Sequence, residues 1–197
     1  MCSVLNLVNW GDLRLRQRID SKLIKVHNLE KMGDWQTYAQ QLMHRFDYDT
    51  NDWAINNVAN GAAIYGQDGT LWAAEGNEGG DLADYQHPLE GMDGSVQQVN
   101  VSEVACACGA ADGNRNPSEA GIRMGKTKYM MTYKDPDQPI TQLTRAGGGA
   151  VVGKTVTGVC IAFWKKDQAD SNGKTQNMED CFKLVKEMVD YLTEQGI

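Results

Sequence analysis

The carboxyl-terminal half of the chain constrains the fold most, because it consists of short β-rich runs that leave no room for helices between them. Only breaks of a few residues, rich in Gly, Pro and Asp, separate these runs. Parallel neighbours would need a connection of about a dozen residues. The runs must therefore pair antiparallel as a meander, and we predict five strands, over residues 120–124, 128–133, 140–145, 150–155 and 158–164.

Helices are predicted before and after this meander in the sequence. Residues 178–195 carry apolar side chains at helical spacing, and Gly196 is placed to end that helix. Asp34 is a good N-cap for a helix over residues 35–45. A shorter helix is predicted over residues 100–108, just before the meander.

A buried strand pair is predicted between the first two helices. Residues 61–66 and 71–74 are mostly small and apolar, and the Asp68-Gly69 step between them is typical of a tight hairpin. The complete order of elements indicates an α+β fold, a central antiparallel sheet flanked by helices. We expect the amino- and carboxyl-terminal helices to pack side by side on one face of this sheet.

Trp35 and Tyr38 are the most unusual pair of residues in the predicted first helix. Because they are three residues apart, their rings lie on one helical face, one turn above the other. Two interpretations remain open: both rings belong to the core, or they form an aromatic platform for an extended partner. With the terminal helices side by side, Tyr191 would lie near both rings.

The composition excludes several classes of protein. In the 197 residues, 41% are hydrophobic and 23% are charged, which is the balance of a globular protein that buries a core. The net charge of −7 argues against nucleic acid as a partner, because an acidic protein lacks a broad basic surface that could neutralise backbone phosphates. No apolar run is long enough to cross a bilayer, and the first ten residues lack the features of a secretion signal, so we expect a cytosolic protein.

Cysteine and histidine do not form a recognisable site. The five cysteines have no framework spacing, and the three histidines are far apart in the sequence. We therefore expect reduced thiols, no metal site and no cofactor. Serine, histidine and acidic residues do not form a catalytic arrangement either, so an enzyme is not expected.

One sequence pattern of nucleotide-binding proteins is present, but the predicted secondary structure around it does not suit a phosphate loop. Residues 148–155 read Gly-Gly-Ala-Val-Val-Gly-Lys-Thr and satisfy the phosphate-loop spacing. A phosphate loop must be followed by a helix whose first amides face the phosphates. Here residues 158–164 form a predicted strand, so we reject nucleotide hydrolysis.

Three segments lie outside the compact pattern. Residues 1–31 are a basic arm on an acidic chain, and we interpret them as an amino-terminal extension. The alternatives are a short helix, a membrane-surface or partner-binding arm, or a flexible segment with no role in the fold. The polar segment 44–60 is predicted to be a long loop. Residues 75–98 contain six acidic residues and several glycines, so we predict an exposed, partly mobile loop there.

The ordered set of motifs resembles the profilin family of actin-monomer-binding proteins. The segments that carry the resemblance are MGDWQTYAQQLM, GAAIYGQDGTLWAA, AGIRMGKTKYMM, GGGAVVGKT and MVDYLTEQGI. They cover essentially residues 32–197, and they occur in the family's order. The resemblance implies a profilin-like fold for residues 32–197 and a binding protein rather than an enzyme.

The resemblance implies binding of proline-rich proteins, such as formin-type ligands, between the terminal helices. Such ligands adopt the polyproline II conformation, which loses little entropy on binding and stacks on flat aromatic rings. At the chain end, Ile197 replaces an aromatic residue that is frequent in the family. The family positions for this site correspond to Trp35, Tyr38, Trp72, Tyr191, Leu192 and Ile197.

The resemblance also implies binding of monomeric actin, a role at the cytoskeleton and an interaction with phosphoinositide headgroups. Tyr133 replaces a basic residue of some relatives, and with the acidic net charge this argues against phosphoinositides. The alternative is a divergent interaction module that binds another partner through its acidic segment 75–98 and binds actin weakly or not at all. The candidate actin-binding residues are Lys128, Arg145, Lys183 and Glu187.

Overall fold

The structure, a computed structural model, describes residues 35–44, 46–47, 52–53, 58–169 and 173–197. The predicted amino-terminal extension, Asp34 as an N-cap and most of the predicted loop 44–60 lie outside the described residues. In chain order the elements are α1 (Trp35–Gln41), β1 (Phe46–Asp47), β2 (Asp52–Trp53), β3 (Gly61–Gly66), β4 (Leu71–Gly76), β5 (Asp84–Glu90), β6 (Val96–Ser102), α2 (Glu103–Ala111), β7 (Ile122–Met124), β8 (Thr127–Lys134), β9 (Ile140–Arg145), β10 (Gly148–Lys154), β11 (Gly158–Lys165) and α3 (Met178–Glu194).

A seven-stranded sheet forms the centre of the fold, in the order β4-β3-β11-β10-β9-β8-β7. All neighbours in it pair antiparallel, which confirms the predicted meander with small shifts at the strand ends. The predicted hairpin of β3 and β4 is also present. Its turn contains Gly69 at a φ of 91°, a conformation that suits glycine and explains the Asp-Gly step.

Side chains on the sheet alternate between two separate core clusters. Ala62 and Ile64 of β3 pack in one cluster with apolar residues of α3. Ala63 and Tyr65 point the other way, into a second cluster with alanines of α2. Since both faces of β3 are covered, all six of its residues are buried, which explains why this strand is a continuous apolar run.

Both predicted terminal helices are present. For α3, the Asn177 side chain accepts a hydrogen bond from the N–H of Asp180 at 2.9 Å, and Gly196 follows the helix with a φ of 77°. Helix α1 ends earlier than predicted, at Gln41, in a tight turn. Among the described residues, no helix is both long and apolar enough to cross a membrane.

The terminal helices pack on the same face of the sheet, as predicted. Helix α3 lies so close to β10 that a Cβ atom on Gly153 would be 2.6 Å from Val189 and 2.7 Å from Val185. Glycine therefore sets the distance between helix and sheet here. Leu42 and Met43, directly after α1, are buried in the same cluster as α3, so one core joins the two helices.

The prediction of an exposed loop over residues 75–98 was wrong. Strands β5 and β6 form a two-stranded antiparallel hairpin with its own ladder. Tyr85, His87 and Leu89 are partly buried and alternate with exposed residues, among them Asp84 and Glu90. Of the acidic side chains that indicated a loop, only Asp84 and Glu90 lie on the strands of the hairpin, where solvent accommodates their charge. Glu78 precedes the hairpin and makes ion pairs with Arg145 and Lys165.

The short helix α2 starts later than predicted, because Asn100 belongs to β6. Ser102 is the N-cap residue, but its side chain makes no capping hydrogen bond. Glu103, the first helical residue, is almost fully buried instead. Its carboxylate accepts hydrogen bonds from the N–H groups of Ala83 at 3.2 Å and Lys126 at 2.5 Å, and so joins α2 to two turns of the chain.

The phosphate-loop pattern lies in a strand, which confirms that its context is wrong for nucleotide binding. Residues Gly148–Lys154 are β10, and the next element is β11 rather than a helix. The Lys154 ammonium lies 2.5 Å from the carboxylate of Asp112, at the end of α2. It therefore makes a structural ion pair.

Candidate functional site

Two aromatic rings of α1 form the first part of the candidate site. Trp35 and Tyr38 are one turn apart, and their ring centroids are 5.5 Å apart in an edge-to-face arrangement. A side-chain hydrogen bond fixes this helix on the sheet, since the Gln36 amide donates to the carbonyl of Ala74 at 2.9 Å. Neither ring is fully buried, so each keeps an accessible part.

Trp72 reaches the same place through an irregularity in β4. Ile64 pairs with Ala73 and Tyr65 pairs with Leu71, which leaves Trp72 as an extra residue in the ladder. A bulge of this kind redirects a side chain, and the Trp72 ring lies 4.5 Å from that of Trp35. The sequence marks Trp72 as aromatic but does not show this bulge.

The carboxyl-terminal helix completes the row of rings. Tyr191 of α3 lies 5.9 Å from Tyr38, measured between ring centroids. The chain end is fixed next to it, because the Ile197 carbonyl accepts a hydrogen bond from the N–H of Val156 at 2.9 Å. Leu192 differs from the other predicted residues: it is fully buried and supports the row from the core.

We call this surface the aromatic groove, and define it by Trp35, Tyr38, Trp72, Tyr191 and Ile197. All five side chains are partly buried and pack against the core that joins the terminal helices. The two interpretations of the α1 aromatics are therefore compatible, since one side of each ring packs inward while part of it stays accessible.

Two of the predicted actin-binding residues lie together on α3. Lys183 and Glu187 are exposed and one helical turn apart. The Lys183 ammonium lies 2.8 Å from the carboxylate of Glu179 on the same helix. Such an exposed pair contributes little to stability.

Lys128 lies on β8, beside the β5–β6 hairpin. It is exposed, and its side chain passes Gly121, where a Cβ atom would be 3.4 Å from the lysine Cε. Desolvation, followed by the charges of Arg123 and Lys128, holds the pKa of His87 below its usual value. Hairpin residues pack with Ala120, next to Gly121, so Lys128 lies beside the base of this hairpin.

Arg145 is not brought together with the α3 residues. Strand alternation places its side chain on the face of the sheet that α2 covers. There the guanidinium makes an ion pair with Glu78 at 2.6 Å and lies 5.4 Å from the ring centroid of Tyr129. Burial raises the pKa of Tyr129 above its ordinary value, so the ring beneath the arginine is neutral.

Comparison with known proteins assigns the chain to a family. Residues 33–197 match the family model described as Profilin. The chain belongs to the profilin family. A profilin of Tetrahymena pyriformis is 28% identical over 167 residues, which cover 84% of this chain and 99% of that protein.

Solved structures of profilins resemble the fold. Acanthamoeba castellanii profilin II has a TM-score of 0.50 at 20% identity, over 83% of this chain and 100% of its own. Mouse profilin IIa, in complex with a double repeat from the FH1 domain of mDia1, has a TM-score of 0.49 at 16% identity, over 83% of this chain and 99% of its own. At 20% identity, the likeness to Acanthamoeba castellanii profilin II concerns the fold alone.

Apolar surface residues of this profilin-family chain were missed by the sequence reasoning. Met130 and Tyr133 of β8 are exposed, at 67% and 44% of their surface. The Tyr133 ring lies 5.8 Å from that of Phe182 on α3, between ring centroids. The alternation of side chains along β8 could have predicted the exposure of Met130, because it places Met130 on the same side of the strand as the exposed Lys128.

Proposed function

We propose that this member of the profilin family binds proline-rich segments in the aromatic groove. One observation carries the proposal: Trp72, Trp35, Tyr38 and Tyr191 form a continuous row with centroid spacings of 4.5, 5.5 and 5.9 Å. These rings come from three elements that are far apart in the sequence. A core alone does not require a row of rings that all remain partly accessible.

The chemistry of the groove suits a polyproline II ligand. Such a ligand is extended and pre-ordered, and its proline rings stack on flat aromatic surfaces. Its carbonyl oxygens lack internal hydrogen bonds, so they accept from the indole N–H of tryptophan and the hydroxyl of tyrosine. Ile197 supplies an aliphatic end to the groove, and Leu192 holds the α3 side of it from the core.

The test is a fluorescence titration of the full chain with an oligoproline peptide. We expect a saturable change in tryptophan emission, because the ligand would cover Trp35 and Trp72. Tyr38→Ala keeps every tryptophan but interrupts the row, so it should abolish the response. Tyr133→Ala is the matched control, because it removes an exposed tyrosine outside the groove.

We further propose that the chain binds monomeric actin and regulates filament assembly in the cytoplasm. Family membership supports this proposal, and so does the exposed surface of β8 and α3, which combines apolar Met130 and Tyr133 with Lys128, Lys183 and Glu187. Charges of this kind steer association, and the apolar residues at the centre of an interface supply affinity.

Arg145 is left out of this actin surface, because it lies on the face covered by α2 and is committed to Glu78. Phosphoinositide binding is left out as well, since Tyr133 stands where the resemblance expects a basic residue and packs edge-on against Phe182. We assign both binding activities to residues 32–197, with residues 1–31 as an extension of that domain.

Polymerisation of pyrene-labelled actin tests the second activity. We expect an excess of the chain to slow spontaneous filament formation. Unchanged growth would instead favour the alternative of a divergent module that uses another partner.

A further inference from the structure

The β5–β6 hairpin is anchored at its base and projects at its tip. Near the base, Val99 and Val101 are buried against Cys106 of α2 and Ala120. Beyond Leu89 the residues of the tip are all exposed, up to and including Gln98. The hairpin therefore combines a fixed base with an accessible end, and we call residues 90–97 the tip.

The tip presents apolar side chains on a well-formed turn. Met92 is fully exposed and Val96 is 63% exposed. The N–H of Gly91 donates to the carbonyl of Ser95 at 2.7 Å, and the Asp93 carboxylate accepts from the N–H of Ser95 at 3.0 Å. Because these bonds close the turn, little conformational freedom would be lost when a partner covers Met92.

The apolar surface of the chain is concentrated on this hairpin and on β8. Six large apolar side chains are exposed among the described residues, and four of them, Met92, Val96, Met130 and Tyr133, lie on these two elements. Exposed apolar side chains on neighbouring elements are typical of an interaction surface.

The base of the hairpin lies beside one end of the β8 surface. Val99 and Val101 pack with Ala120, and the Lys128 side chain passes the neighbouring Gly121, where a Cβ atom would be 3.4 Å from the lysine Cε. Lys128 lies on the same side of β8 as Met130. The hairpin therefore borders the surface of β8 at its Lys128 end. A partner bound over Lys128 and Met130 would therefore lie next to the hairpin and could contact it.

We propose that the β5–β6 hairpin is an additional contact for the actin monomer, with Met92 and Val96 of its tip against actin. This inference rests on the actin binding proposed above. It deepens that function, because it extends the interface beyond β8 and α3 to the hairpin of β5 and β6. The proposed interface differs in charge at its two ends. The exposed Glu90 is acidic at the hairpin end, and Lys128 is basic at the β8 end.

The test compares affinities for monomeric actin, measured by calorimetry with the full chain. The double variant Met92→Ser with Val96→Thr removes the apolar groups of the tip and keeps the turn and a β-branched residue in β6. We expect its dissociation constant to rise about tenfold, the effect of losing a well-packed apolar contact. Val156→Thr is the matched control, since Val156 is 58% exposed in the turn between β10 and β11 and should leave the affinity unchanged.

Two further readouts separate the possible outcomes. Oligoproline binding and the thermal midpoint should be the same for the double variant and the wild type, because Met92 and Val96 are exposed and lie outside the aromatic groove. If the wild type binds actin and the double variant binds within twofold of it, the hairpin contact is refuted and the proposed function stands. If the wild type does not bind actin, the proposed function fails and this inference fails with it.

Discussion

Gly158 of β11 connects the geometry of the sheet to the aromatic groove. A Cβ atom at this position would lie 2.8 Å from the Trp72 ring and 3.0 Å from the carbonyl oxygen of Tyr65. Contacts this short cannot persist, so Gly158→Ala should push the Trp72 ring away from its position 4.5 Å from Trp35. We therefore expect this substitution to change stability and ligand binding together.

The size of the effect follows from two opposing terms. Overpacking a well-packed site costs about 1–3 kcal/mol. Replacing glycine by alanine lowers the conformational entropy of the unfolded chain, which stabilises the folded state by about 0.4–1 kcal/mol. The net loss of about 1–2 kcal/mol lowers the midpoint of thermal unfolding by about 2–8 °C for a domain of this size.

Calorimetry checks both consequences. Differential scanning measures the midpoint, and titration with an oligoproline peptide, well below that midpoint, should show an affinity reduced by about tenfold as one ring leaves the row. Thr157→Ala is the control, because this exposed neighbour contributes only its backbone carbonyl to the contact with Gln67. A Gly158→Ala protein with wild-type stability and affinity would refute the role of Trp72 in the groove.

Two further substitutions test the polar contacts that hold the fold. Glu103→Gln should destabilise the chain by about 1–3 kcal/mol, because an amide NH2 would replace one of the two buried carboxylate oxygens that accept from Ala83 and Lys126, and would face a backbone N–H instead; equal urea midpoints for variant and wild type would contradict this. Hydrogen bonds from the backbone N–H groups of Asp137 and Gln138, with the charge of Lys186, hold the pKa of Asp135 below its ordinary value. A depressed folded-state pKa contributes stability above the unfolded value, about 3.9, that is lost as the pH falls through the folded value. Asp135→Asn should thus unfold more easily than the wild type at pH 7 and approach it in acid, and a difference that is constant with pH would exclude this explanation.

The meander was predictable because the features that determine its strand pairing lie close together in the sequence. Short β-rich runs separated by tight breaks allow only antiparallel pairing, and the structure has that order from β7 to β11. The α3 helix was predictable for the same reason, since its apolar spacing and Gly196 are visible in the sequence. The β5–β6 hairpin was missed because its acidic residues were taken as evidence for a loop, although Tyr85, His87 and Leu89 alternate as in a strand.

The candidate site was predictable only in part. The spacing of Trp35 and Tyr38 fixes their common helical face, but the approach of Trp72 depends on a bulge in β4 that no sequence pattern announces. Arg145 shows a second limit. Its strand was predicted with the observed ends, but which face of the sheet its side chain occupies depends on how the helices are distributed over both faces, which is a property of the complete fold.

The fluorescence titration with oligoproline tests the central claim most directly, because it addresses the row of rings itself. The account predicts a saturable change in the tryptophan emission of the wild type, the same change in Tyr133→Ala and none in Tyr38→Ala. No change in the wild type at millimolar peptide, or an unaltered response in Tyr38→Ala, would contradict it.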